Sequence, residues 1–223
     1  MKTAVYERFG GLCAIIAGAG GLAYSISFVI ISRSAPDVSA VLSPLFLMLG
    51  GLLASAVMLA LYQRLRETEA TFALWAALLG VVAALGSTVH GGYDLANAIN
   101  SPSVGDSLQN QLNNLPSQID PRGLLTFGVS GIAFLVLSWL ILRGGQLPRA
   151  LGYLGYLLGA LLILVYLGRL ILLSPSNPAL LGAAGLTGFL ISPLWYIWLG
   201  VTLWRGQNAQ QKAPAAQPAQ QVH

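Results

Sequence analysis

Val38 to Gln63 reads VSAVLSPLFLMLGGLLASAVMLALYQ, an uncharged run between Asp37 and Arg64. A helix needs about 20 mostly apolar residues to cross the hydrocarbon of a bilayer, and this run exceeds that length. A water-soluble fold would bury such a segment beneath a charged exterior, but only 8% of the chain is charged, while 56% is hydrophobic. An average soluble domain carries about 25% charge, so lipid and not water must cover the outside of this protein.

Working outward, the same pattern recurs on both sides. Uncharged runs extend from Phe9 to Ser32, Ala70 to Tyr93, Gly123 to Leu142, Ala150 to Gly168 and Leu170 to Trp204. The last is interrupted by Ser174-Pro175-Ser176-Asn177-Pro178, where two prolines and small polar residues end a helix and supply turn chemistry. The reading is all-α: a polytopic six-transmembrane-helix bundle at residues 1–205, with helices over about 9–32, 40–63, 70–94, 123–143, 149–173 and 179–204. An external loop is expected at 95–122, with a short amphipathic helix on Leu108, Leu112 and Leu115. Residues 206–223, rich in Gln, Ala and Pro, have too few large apolar side chains to build a core and read as a disordered tail. The first apolar run is too long for a signal-peptide centre, so it is expected to remain as a span.

Orientation follows from the basic residues. One side of these spans collects Lys2, Arg8, Arg64, Arg66, Arg143, Arg149, Arg205 and Lys212, against Arg33, Arg122 and Arg169 on the other. Basic residues in short loops are retained in the cytoplasm, which predicts cytoplasmic N- and C-termini. The net charge of +4 is spread singly between apolar runs, so nucleic acid is not an expected partner. Expected partners are membrane lipid and a membrane-protein partner or a second copy of this chain.

Two short stretches carry a resemblance. Leu147-Pro148-Arg149-Ala150-Leu151-Gly152-Tyr153-Leu154-Gly155, together with Leu194-Trp195, Trp198-Leu199-Gly200 and Arg205-Gly206, resembles a bacterial six-helix membrane family classed as a domain of unknown function. The resemblance implies a six-helix fold in a bacterial inner membrane. It transfers no catalytic or ligand residue.

Chemistry is sought among ionisable groups at membrane depth, where charge is costly and tends to be functional. Counting from Ala70, His90 lies roughly 30 Å and Asp94 about 36 Å along the third helix; counting from Ala150, Arg169 lies roughly 28 Å along the fifth. All three reach the same boundary of the bilayer. His90 and Asp94 are four apart and share a face, with Tyr93 adjacent and Asn97 three beyond Asp94. These five residues form a candidate polar cavity, or the anchor of an Asp94 to Arg169 ion pair between helices. Pro193, about 18 Å from Arg205, is expected to kink the sixth helix. Small residues four apart, such as Ala14/Gly18, Ala17/Gly21, Gly50/Ala54, Gly155/Gly159 and Ala184/Gly188, are expected at close helix crossings.

Several chemistries are excluded. One cysteine, Cys13, builds no disulfide or cysteine-rich metal site, and His90 and His223 are the only histidines, so no metal site or cofactor is expected. No HExxH, phosphate-binding loop or nucleophile elbow occurs, and no catalytic residue is assigned. Three functional readings follow in order: a small-molecule or lipid binding or transport protein with an outward-facing polar cavity; a non-catalytic accessory or scaffold subunit of a larger membrane complex; and an intramembrane enzyme using His90 and Asp94.

Overall fold

The computed structural model describes residues 2–99, 119–171 and 177–212, with side chains at 5–99, 119–120, 122–171 and 177–205. The expected surface helix on Leu108, Leu112 and Leu115, the break at 174–176 and the tail from 213 onward lie outside these residues. Every regular element among the described residues is helical. Six helices are long and apolar enough to cross a membrane: α1 Val5–Ser34, α2 Pro36–Leu65, α3 Ala70–Ile99, α4 Leu124–Gly144, α5 Arg149–Ile171 and α6 Pro178–Arg205.

Several boundaries differ from expectation: the first helix begins at Lys2 and the second at Pro36, each ahead of its apolar run, and two others run on. Helix α3 runs five residues past Asp94, because Leu95-Ala96-Asn97-Ala98 contains no breaker and a helix ends where turn chemistry begins, not where lipid stops. Beyond Arg205 the last helix continues to Lys212 through the helix formers Gln207, Ala209, Gln210 and Gln211, so the helical part of the chain outlasts the expected domain end.

The helices form a closed ring in chain order. Each packs against its sequence neighbours, and α6 closes the ring against α1. Because the helices alternate in direction, both chain ends lie at one end of the bundle, here called the terminal face; the opposite end is the far face.

The terminal half is solid. Cys13, Ala14, Val57, Leu61, Leu65, Ala73, Ala76, Leu137, Leu140, Ile141, Leu151, Leu158, Trp195, Leu199 and Leu203 form one buried cluster. Trp195 is fully buried, stands edge-on to Phe134 with ring centroids 4.7 Å apart, and donates its indole N–H to the Leu151 carbonyl at 3.2 Å. That bond satisfies the one polar atom of a large side chain placed in the core. Glycines allow the backbones to meet: a Cβ on Gly131 would lie 2.9 Å from the Gly159 carbonyl, and one on Gly11 would lie 3.0 Å from the Gly200 carbonyl. At the terminal face Glu7 and Arg64 form an ion pair at 3.4 Å, tying α1 to α2.

The far half is irregular. Among the described residues three helices relax into π-turns: Ser27–Ile31 in α1, Leu124–Val129 in α4 and Thr187–Ile191 in α6. A π-turn holds an extra residue, weakens the local hydrogen-bond ladder and is frequent at functional sites. In α6 the turn ends two residues before Pro193 and carries the Ser192 N–H to the Thr187 carbonyl.

Candidate functional site

Above the solid half the ring encloses a cavity of about 850 Å³ open at the far face. Its polar wall carries His90, Asp94, Asp120, Arg122 and Arg169, with Ser32, Ser39, Ser43, Tyr24 and Thr126 around them. A second chamber of about 430 Å³ continues beneath it toward the middle of the bundle. The two share Tyr24, Phe28, Leu47, Thr126, Phe127, Val165, Leu181 and Ala184 in their walls. The lower chamber is mainly apolar, lined in part by Ala17, Gly21, Gly50, Met58, Gly80, Ala133, Phe134 and Leu162. Both volumes fall within the range of small-molecule sites.

His90 and Asp94 are one helical turn apart, and the His90 Nε2 to Asp94 Oδ2 distance is 3.1 Å. The other ring nitrogen, Nδ1, is buried and has no hydrogen-bond partner. Asp120, 2% exposed, accepts from the Leu125 and Thr126 N–H groups at 2.8 and 2.9 Å. Its charge thus rests on the otherwise unpaired donors that open α4. Arg122 follows in a left-handed conformation, φ 64°, with Gly123 at φ 79°. Holding a side chain with a Cβ in that region costs on the order of 1–2 kcal/mol, and here it swings the guanidinium to the end of α5, where it donates to the Arg169 carbonyl at 3.1 Å. The Arg169 guanidinium lies over the Phe127 ring, 5.3 Å from its centroid.

The sequence-derived set is therefore divided. His90, Asp94 and Arg169 line one cavity. Tyr93 and Asn97 do not: Tyr93 is 45% exposed, Asn97 is exposed, and neither belongs to the cavity wall. Tyr93 follows Gly92 and precedes Asp94 on the helix, and one step of about 100° is enough to turn it away from the face that holds His90 and Asp94. The Asp94 to Arg169 ion pair is also absent within 4 Å: among the described residues Asp94 pairs with His90, and Arg169 has a ring and no carboxylate beside it.

Other residues in and behind the wall carried weaker signals. Asp120 and Arg122 lay in what reads as loop, and the short Asp120-Pro121-Arg122-Gly123 turn was the available hint. Ser27, Ser39 and Ser43 form a buried hydroxyl cluster between α1 and α2: Ser39 donates to the Ser27 carbonyl at 2.9 Å, and Ser43 Oγ lies 3.0 Å from Ser27 Oγ. Ser27 opens the π-turn of α1, so the cluster supplies a second donor to a carbonyl in a loosened ladder. Serines in a span usually bond their own helix, which hid this role in the sequence. No three His, Cys, Asp or Glu side chains gather as a metal-ligand set among the described residues.

The fold and this cavity define a multi-pass helical membrane protein with a pocket that is shut by packing at the terminal face and open at the far one. No family model, curated protein or solved structure matches the chain.

Proposed function

We propose that the chain is a small-molecule or lipid binding protein of a bacterial inner membrane, with both termini cytoplasmic and the cavity open to the outside. The observation that carries this reading is the polar cavity of about 850 Å³ running into an apolar chamber. A bundle whose only task was to scaffold other subunits would gain nothing from leaving that volume unfilled, since packing is what drives helix association in lipid. The positive-inside bias of the basic residues supports the orientation. With the terminal half packed, the conformation described here holds a ligand from one side; delivery across the bilayer would need a second conformation.

The test is occlusion. Ala40 is exposed and lines the cavity, so Ala40→Trp places a large ring at the mouth without removing a hydrogen bond. Protein extracted in mild detergent is expected to carry a small molecule at near-stoichiometric level by native mass spectrometry, and Ala40→Trp to lose it with unchanged thermal stability. Retention of the molecule by the variant would refute the reading.

The His90 to Asp94 pair favours one second reading, an enzyme that uses the two side chains as acid and base through the proton they share. Asp94→Asn would then abolish turnover of the bound molecule while leaving its binding intact. Turnover unaffected by that change would remove the enzymatic reading.

A further inference from the structure

The ring is not equally closed along its length. Near the middle of the bundle α1 and α6 meet at Ser25 and Gly188, where a Cβ on the glycine would collide with the serine hydroxyl. One turn further toward the far face they part. The outer part of α6, Pro178–Leu186, packs on α5, and no comparable packing joins it to α1. Leu181 and Ala184 line both chambers and remain exposed, as does Phe28 on the opposite side. The lower chamber is therefore reached sideways, from the depth at which hydrocarbon surrounds the protein.

Glycine placement supports a chamber meant to stay empty of side chains. A Cβ added to Gly21, Gly50 or Gly185 would meet nothing within 4 Å, and all three line the lower chamber. These are members of, or one residue from, the small-residue pairs expected at helix crossings, yet they border space.

The mouth carries Asp94 and Asp120 beside Arg122 and Arg169, but the two carboxylates are engaged elsewhere and leave the guanidinium groups without an ion-pair partner among the described residues. Asp120 is engaged by two backbone N–H groups and Asp94 by His90. Arg122 donates to a neutral carbonyl, and Arg169 faces a ring; neither has a carboxylate within 4 Å among the described residues. Arg122 and Arg169 line the upper cavity, which the lower chamber joins, and two guanidinium groups there suit a phosphate or carboxylate.

Resting on the binding function proposed above, we infer that the occupant is a single-chain anionic amphiphile of the far leaflet, which enters between α1 and α6. Its acyl chain lies in the lower chamber, and its head group meets Arg122 and Arg169. At about 30 Å³ per water-sized group, 430 Å³ accepts on the order of a dozen methylene-sized units, enough for one chain and not two. Phe28, stacked on Tyr24 at 5.7 Å, flanks the entrance.

The experiment measures binding of palmitoyl-lysophosphatidylglycerol to the purified full chain by native mass spectrometry, with palmitoyl-lysophosphatidylcholine, a two-chain phosphatidylglycerol and inorganic phosphate as comparisons. One equivalent of the anionic single-chain probe is expected, held about tenfold more tightly than the zwitterionic one. Arg169→Gln should erase that preference. Gly185→Leu should fill the chamber and weaken both single-chain probes about tenfold, with Gly21→Leu as the independent second filler; thermal stability should hold in each, because the added side chain enters open space. Equal binding of the zwitterionic or two-chain probe, or full binding by both leucine variants, overturns the amphiphile assignment. Displacement by millimolar phosphate alone does so too, while leaving a binding protein for soluble anions. If the wild type binds no probe and also leaves the membrane without any ligand, the binding function falls with it.

Discussion

Asp94 shows how far spacing alone reaches. Its position four residues after His90 put the two on one face, and the side chains meet at 3.1 Å. Its distance along the bundle also matches that of Arg169, but equal depth is not equal azimuth. Helix rotation is set by which small residues find close crossings, and that depends on all six helices together. The two groups share a cavity without pairing. Double-mutant cycles on thermal unfolding in detergent should separate the cases: His90→Ala with Asp94→Asn is expected to show a coupling of about 0.5–1.5 kcal/mol, and Asp94→Asn with Arg169→Gln one below about 0.5 kcal/mol. Equal couplings would mean that Asp94 serves Arg169 after all. Asp120 and Arg122 stayed hidden for another reason. Their roles depend on the left-handed turn at Arg122 and Gly123, and a Pro-Arg-Gly sequence in a polar stretch reads as an ordinary loop.

At the scale of elements, the six spans were legible because charged or breaker residues bound each apolar run. Their ends were less so, since polar residues such as Asn97 and Gln210 extend a helix as readily as end it. The π-turns left no trace in hydropathy, which counts residues and not the width of a turn. Small residues were legible as a class but not in their use. Gly131 belongs to a crossing: its Cβ would lie 2.6 Å from Ile163 Cγ1 and 2.9 Å from the Gly159 carbonyl. Gly50 borders space. The same substitution is therefore expected to act with opposite sign. Gly50→Ala should stabilise by about 0.5–1 kcal/mol through helix propensity and the unfolded state, and Gly131→Ala should destabilise by about 1–3 kcal/mol through overpacking, both read from detergent unfolding. Equal effects would show that Gly50 is packed.

For the whole molecule, the division into a solid terminal half and a hollow far half predicts a gradient of accessibility. Cys13 is 2% exposed within the solid core. In intact cells an impermeant maleimide is expected to leave it untouched and to label Ser101→Cys, with Cys13 reacting only after denaturation. Labelling confined to disrupted cells for Ser101→Cys would invert the orientation read from the basic residues. The hydropathy that reveals spans is indifferent to this division, because a residue facing a void and one facing lipid look alike in sequence.

The ring order, with α6 seated beside α1, also means that chain direction and spatial order carry the same information. Such a molecule is a loop of six helices nicked at a single point. Linking α6 to α1 at the terminal face and reopening the short connection between Gly144 and Arg149 preserves every neighbour and every crossing direction. A circular permutant that begins at α5 should therefore insert and assemble into the same bundle, and its pocket would be built from segments in a new order of synthesis.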